Sequence, residues 1–573
     1  MVDGQKASAG SAPSSRSASV PRWLARDAEI GAGLFIAALA LRLLHLRQIT
    51  NLDPYFLSPA VDGALYHAWA QQIAHGDWIG EGVFILGPLY PYLMGAFYGL
   101  AGPDLALWKM LQAWIGAGSC VLVWWLAREV FDRRVALLAG VVALFYEMLI
   151  FYGGTVMVVN IQVPLVLAAT LASVKALRRG QFPSWLGVGV LLGLSALARQ
   201  TTLLYVPLVA AALALALGSH ETPPLSLGRR ARYVAALLLG VVLMVLPFTM
   251  RNIVVADDFV IVNSTGGMNL FMGNNPDADG RWRPPRVGAG RVDTPGAMQA
   301  TFASVAEARS QRSLRPSEVS GYWMGRAFDF MLAEPGRWLA LEARKFLLFI
   351  NENEVWNNRS IEISRPFSVL LRAPLLHLGI IMPLGLLGMG LALGRWRELF
   401  PLYAMVAAHL GSALIFFVVS RYRMPAIPIL IVFAAYAAVW LFESARDRKL
   451  PSLLAAGLAL AVLVPVTRLE LAVPDEFMAH YNLANRYREN GEVDQAIENY
   501  RVSIELNPRF NSSLNNLAVV YQDLGRREEA IGLWEELRRR ALKQYNSELL
   551  ERAERRLRTL GAPPMNYSPR SSD

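Results

Sequence analysis

Apolar runs separated by short polar links fill most of the first 470 residues. Runs near membrane-crossing length occupy 30–46, 105–126, 135–150, 161–177, 185–197, 202–217, 233–250, 375–393, 402–419, 424–442 and 453–466. A helix needs about 20 mainly apolar residues to cross hydrocarbon, fewer where flanking side chains snorkel. The pattern predicts an all-α, polytopic membrane protein of about eleven spans. The run 87–100 is short and broken by Pro88 and Pro91, and reads as a juxtamembrane or re-entrant piece. Residues 1–27 are rich in Ser, Ala and Gly with no apolar run, the pattern of a disordered tail. No small-residue cleavage site follows 30–46, so that run reads as an uncleaved first span.

The links give the spans a direction. Arg133 and Arg134, Arg178 and Arg179, Arg229 to Arg232, Arg395 and Arg397, and Arg446 to Lys449 share one side if eleven spans alternate. Arg16, Arg22 and Arg26 of the tail fall there too. Positive charge concentrates in cytoplasmic links, which makes that side cytoplasmic. The opposite side then holds the loops 50–104 and 251–374 and everything after 466. The second loop is too long for a connector and is expected to fold over the outer face. It offers a turn-rich stretch from Gly266 to Pro276, then helices around 321–332 and 338–349. The membrane domain is thus 28–470.

Beyond it the chain repeats with a period of 34 residues. Asn482, Leu483, Ala484, Tyr487, Gly491 and Ala496 recur as Asn516, Leu517, Ala518, Tyr521, Gly525 and Ala530, and Pro508 closes the first unit. Small residues let paired helices approach, Tyr fills the groove beside them and Gly makes the turn, which is the tetratricopeptide (TPR) pattern. Two units need a cap, for which the helical stretch 542–560 is suited, giving a C-terminal TPR α-solenoid over 475–560.

Composition agrees with a chain solvated by lipid: 54% hydrophobic and 17% charged residues, with mean hydropathy +0.33. The net charge of +10 sits largely in the links, so it encodes orientation and implies no nucleic-acid partner. A single cysteine, Cys120, excludes a disulfide within the chain and a cysteine metal cluster.

Candidate chemistry gathers on the outer side. In the first loop Leu65, Trp69 and Ile73 recur every four residues, an amphipathic helix along the membrane surface. Asp62 begins it and Tyr66 follows one turn later, so both can face one site. On spacing alone Asp62 fits equally as a helix N-cap. Arg199, Arg251, Arg421 and Arg423 stand at outer ends of spans, where positive charge is disfavoured. Singly, each reads as a snorkelling anchor. Together they would make a site for a lipid phosphate or pyrophosphate, whose oxygens match guanidinium forks. Glu147, Glu352 and Glu354 could position an acceptor or pair with these arginines, and pairing is the favoured reading. His409 and Lys109 are weaker signals. There is no P-loop, HExxH motif or Ser/His/Asp arrangement.

Taken in order, these pieces resemble the GT-C membrane glycosyltransferases, in the branch of protein mannosyltransferase-like and lipid A aminoarabinose transferase-like enzymes. The resemblance covers roughly 30–442. It rests on Asp62, Tyr66 and Gly76-Asp77-Trp78, on Pro88-Leu89-Tyr90-Pro91, on Gly267-Met268-Asn269-Leu270 leading to Gly273-Asn274-Asn275-Pro276, and on Arg421-Tyr422-Arg423 with Pro425. It implies a GT-C-type helical bundle with an outer-face loop domain. It also implies transfer of a sugar, hexose or pentose, with inversion, from a polyprenyl-phosphate donor to a hydroxyl or phosphate. Asp62 would be the catalytic base. Arg199, Arg251, Arg421 and Arg423 would bind the donor phosphate, and Tyr66 and Tyr422 would position substrate. No metal ligand is assigned, and a divalent metal is left open. The implied partners are a polyprenyl-phosphate-linked sugar, membrane lipid, and a protein or peptide bound by the repeats. The implied location is a bacterial inner membrane, with site and repeats periplasmic. Two departures stand out. Many relatives carry a second acidic residue where this chain has Gly63, and a basic residue where it has Gly87. The rival reading is a non-catalytic scaffold or transporter component of surface polysaccharide assembly. A transporter should place polar residues and broken helices mid-span, whereas here the charges gather at the outer ends.

Overall fold

The computed structural model describes residues 22–215, 226–283, 285, 287, 294–471 and 476–562. Most of the expected tail, 1–21, lies outside the described residues, and the helix of the first apolar run already begins at Arg22.

In chain order, α1 (Arg22–Ile49) leads to the first-loop helices α2 (Asp62–Ala74) and α3 (Leu89–Ala101). Then come α4 (Leu105–Val130), α5 (Arg133–Phe145), the short α6 (Glu147–Gly153), α7 (Val159–Arg179) and α8 (Phe182–Ala198). A 3₁₀ turn (Gln200–Leu204) runs into α9 (Tyr205–Ala214), followed by α10 (Leu227–Ala256). The long loop supplies α11 (Gly266–Gly273), α12 (Pro295–Ser310), α13 (Pro316–Ala333), α14 (Pro335–Ile350) and the single turns α15 (Ile361–Ser364) and α16 (Val369–Arg372). The bundle resumes with α17 (Leu378–Leu391), α18 (Phe400–Ile415), the single turn α19 (Ser420–Arg423), α20 (Ile427–Arg446) and α21 (Leu450–Thr467). Each of the apolar runs supplies a helix, the run 135–150 is divided between α5 and α6, and the last two residues of 202–217 lie outside the described residues. Six of these helices are long and apolar enough to cross a membrane, and α8, α9 with its 3₁₀ turn, α17 and α18 are shorter apolar helices. The protein is an all-α, multi-pass membrane protein, and the described residues contain no strand beyond isolated bridges.

Backbone proximity tightens the bundle where side chains vanish. A Cβ on Gly189 would lie 2.1 Å from the carbonyl oxygen of Leu237, and one on Gly240 2.4 Å from that of Leu186. Helices α8 and α10 therefore touch main chain to main chain, the packing mode that lipid-solvated helices favour. Helix α20 is the central member, with every residue from Ile427 to Ala435 buried.

The two ends of the bundle differ. At one end Asp27 pairs with Arg128 (3.3 Å), Arg134 with Glu443 (2.8 Å), and Arg178 with Glu129 (2.7 Å) and Glu398 (3.4 Å). Arg134 and Arg178, from two of the basic links, thus pair with acids of other segments at this end. The other end carries α2, α3, the helices of the long loop and the repeats.

The repeats comprise α22 (Glu476–Glu489), α23 (Val493–Leu506), α24 (Asn511–Asp523), α25 (Arg527–Lys543) and α26 (Ser547–Thr559). Ala484, Ala496, Ala518 and Ala530 are fully buried where the helices cross. Gly491 and Gly525 turn the chain at φ +84° and +71°, values that side chains resist. Helix α26 closes the stack with Ala553 and Leu557. One member of this core comes from elsewhere: Tyr55 of the first loop is buried among Leu483, Tyr487 and their neighbours.

Candidate functional site

Helix α2 starts at a strained residue. Val61 sits at φ +51°, in a region that β-branched residues avoid, and such strain concentrates at functional sites. Asp62 is the first helical residue, and no side chain caps this helix. Its carboxylate is buried and forms an ion pair with Arg421, and it does not serve as the N-cap. The helix N-terminus beneath it adds a favourable field for negative charge. The Gly63 departure has a steric cause. A Cβ there would approach the Val156 carbonyl to 3.0 Å and Pro59 to 3.1 Å, a tight fit for any side chain.

Arg421 projects from α19, and Arg199 terminates α8. Arg199 donates from Nη1 to the Arg421 carbonyl at 3.2 Å and stacks its guanidinium 3.9 Å above the Tyr422 ring. Burial opposes the charge on Arg421, but Asp62 and Tyr422 outweigh it and its pKa is raised. Its Nε is buried with no hydrogen-bond partner among the described residues. Tyr66 lies one turn beyond Asp62, its ring 4.9 Å from that of Tyr90. Burial, then the Asp62 charge, raises the Tyr66 phenol, which stays protonated.

Two of the arginines expected at a phosphate site do not join it. Arg423 donates to the carbonyls of Leu348 (3.1 Å), Phe349 (3.2 Å), Asn351 (2.7 Å) and Asn353 (2.6 Å) and pairs with Glu354 (3.0 Å). It is 1% exposed, a staple closing the end of α14, and of its nitrogens Nε alone, itself buried, has no hydrogen-bond partner among the described residues. Arg251 donates to the carbonyls of Ile79 (2.7 Å) and Gly82 and lies 4.2 Å over Phe84. It fastens the first loop to α10. Of the three acidic residues, Glu354 alone pairs with one of these arginines, Arg423, whereas Glu147 pairs with Arg365 (2.9 Å) and Glu352 with Arg468 (3.2 Å).

Asp62, Tyr66, Arg199, Arg421 and Tyr422 converge on a cavity of about 510 Å³. Part of its wall is polar, with Gln200, Asn263, Asn357 and Asn358. The rest is apolar, with Leu203, Leu204, Met268, Met298, Phe416 and Phe417. A charged head beside an apolar trough suits an amphiphile. Sequence reasoning missed the amides, which reach the cavity from segments far apart in the chain.

The motifs behind the resemblance have local causes. A Cβ on Gly273 would lie 1.6 Å from the Phe416 carbonyl oxygen, and Asn274 donates to the carbonyls of Leu270 (2.9 Å) and Ile415 (2.8 Å). The segment docks α11 onto the end of α18. Lys345, absent from the sequence reading, reinforces it through Asn274 Oδ1 (3.0 Å), the Leu414 carbonyl (2.7 Å) and Glu342 (2.7 Å). Burial lowers its pKa. A Cβ on Gly87 would sit 2.2 Å from the Ala198 carbonyl oxygen, so no basic side chain fits there, directly beside Arg199.

Among the described residues no three His, Cys, Asp or Glu side chains are placed to hold a metal ion. One carboxylate already paired with a guanidinium does not fit a divalent cation.

Residues 86–250 match the family described as dolichyl-phosphate-mannose-protein mannosyltransferase, and this part of the chain carries a domain of that family. Residues 484–525 and 512–543 match TPR families. The repeats are similar to the photosystem I assembly protein Ycf3 of Rippkaea orientalis, 40% identical over 62 residues, and to that of Cyanophora paradoxa, 40% over 58. Those stretches are 10% of this chain and about a third of either relative. Among solved structures, the Archaeoglobus fulgidus oligosaccharyltransferase AglB, in complex with an inhibitory peptide and a dolichol-phosphate, is similar at 13% identity and TM-score 0.45. That match covers 81% of this chain and 58% of AglB. ArnT from Cupriavidus metallidurans, bound to undecaprenyl phosphate, is similar at 16% identity and TM-score 0.31, covering 74% and 79%.

Proposed function

We propose that this protein is a membrane glycosyltransferase that takes a sugar from a polyprenyl-phosphate donor and attaches it, with inversion, to an acceptor. The reaction would occur at the periplasmic face of a bacterial inner membrane. The observation that carries the reading is the convergence of one carboxylate, two guanidinium groups and an apolar trough in a single cavity. Isoprene units suit the wall of Leu203, Leu204 and Phe417, and the donor phosphate suits Arg199 and Arg421. Arg421 would then divide its donors between phosphate and Asp62, freeing the carboxylate to act.

In the transfer the acceptor oxygen forms a bond to the anomeric carbon while the bond from that carbon to the phosphate oxygen breaks. The acceptor proton passes to Asp62, and the leaving phosphate keeps the electron pair under the two guanidinium groups. Asp62 is the only carboxylate among the described residues lining the cavity. With no second acid to form a covalent intermediate, a single displacement with inversion is the fitting course. A peptide or protein held on the repeats would supply the acceptor.

The test is transfer from a panel of polyprenyl-phosphate sugars, comparing the native chain with Asp62→Asn. A positioned base is worth about 10²–10⁴-fold, so the variant should lose that much rate while still binding donor. Equal rates in the two proteins would sink the role of Asp62.

A further inference from the structure

The charge cluster beneath the repeats belongs to no step of the reaction, yet it adjoins the cavity wall along the chain. Asp53 pairs with Arg359 at 2.8 Å, and the Asp53 side chain is almost wholly buried. Arg359 also donates to Ser364 Oγ at 2.8 Å, and its guanidinium lies 4.8 Å from the Tyr55 ring. Tyr55 in turn is enclosed by the repeats. Arg486 of α22 lies 5.5 Å from its ring, and Asn490 donates to the Pro54 carbonyl at 3.0 Å. Ile363 and Phe367 pack against the same repeat core, so the repeats grip two segments at once.

Both gripped segments lead to the cavity. Immediately before Arg359 stand Asn357 and Asn358, which line its polar wall. Beyond Tyr55, the Phe56 carbonyl accepts a hydrogen bond from Lys109 Nζ at 2.6 Å, tying the loop to α4 six residues before Asp62. The phosphate-facing Arg199 and Arg421 are held differently. They stand at the end of α8 and in α19, neither of which contributes a residue to the hydrophobic core of the repeats.

We infer that the repeat domain is a built-in part of the site. Its first helix clamps the loop at Pro54 and Tyr55, and Arg359 carries that clamp to the Asn357–Asn358 wall, which makes Arg359 a positioning residue for sugar transfer. The inference rests on the transferase reading above. It separates two tasks: the bundle holds the phosphate, and the clamped loops hold the sugar wall and the base. A tether that merely keeps the repeats nearby would need neither a shared aromatic core nor a buried ion pair.

The experiment uses the full chain in lipid nanodiscs with two perturbations. Arg486→Ala/Asn490→Ala loosens the clamp from the repeat side, and Arg359→Ala breaks it from the cavity side, with Arg359→Lys as the conservative partner. Displacing a reacting group by about 1 Å can cost about 10²-fold, so transfer should fall by roughly 10- to 100-fold in the double variant and in Arg359→Ala. Binding of sugar-free polyprenyl phosphate should stay as in the native chain, and Arg359→Lys should recover most of the loss. Hydrogen exchange in 351–360 should quicken in the double variant, while the exposed repeat variant Arg539→Ala should match the native chain in every measurement. Native transfer rates in the double variant, unchanged exchange in 351–360, or a parallel loss of phosphate binding would each overturn the inference. A native chain inactive on every donor would overturn the transferase reading instead, and the exchange measurement would still decide whether the clamp exists.

Discussion

The two ends of the bundle use the same residue types to opposite effect. At the basic end the ion pairs are solvated, and Arg134 facing Glu443 is 67% exposed on its side chain. At the site end they are buried: Asp62 and Arg421 are 8% exposed each, and Arg423 facing Glu354 is 1%. Water screens the first set, which contributes little to stability and mainly encodes orientation. The second set has lost its hydration and is tolerable only because each charge is met by a partner or by carbonyls. Position in the slab, not composition, decides whether an arginine labels a side or shapes a site.

The contrast is sharpest where a buried cation is removed. Arg423→Ala would leave Glu354 and four carbonyls unanswered, and breaking such a pair costs about 3–5 kcal/mol. Thermal unfolding in detergent should show that loss, and a native melting temperature would break the distinction between the ends. Next comes Arg421→Ala. Hydrogen bonds to charged groups are worth about 1.5–3 kcal/mol, so polyprenyl-phosphate binding should weaken by about 10- to 100-fold. Titration of the lipid phosphate measures this, and unchanged affinity would remove Arg421 from the phosphate site. The smallest effect belongs to Arg178→Ala at the basic end. Exposed pairs are worth about 0–1 kcal/mol, so stability should barely move and phosphate affinity not at all. A large loss there would erase the comparison.

Much of this division was legible in the chain, though not all. Apolar runs became helices because hydrocarbon forbids any other open backbone, and the 34-residue period became paired helices because its small residues leave room for them. Asp62 and Arg421 drew attention by type and depth, and they meet. Arg423 matched Arg421 in both respects and could not be told apart from it. Two residues apart on a single turn, the pair face in different directions, and only the carbonyls at the end of α14 make Arg423 structural. Arg251 has the depth of a site residue but faces the first loop. Asn357, Asn358 and Lys345 gave no signal, because their roles come from contacts made across long stretches of chain.

The enclosure of Tyr55 by the repeats has a consequence for how the protein is made. Pro54 and the Asn490 that holds it are separated by 436 residues, so the loop leaves the ribosome long before its clamp exists. Every helix of the bundle can enter the membrane while that aromatic side chain still lacks its surroundings. The first loop is fastened only when the repeats arrive. A nascent chain would thus occupy the membrane with its first loop unclamped until the repeats are made.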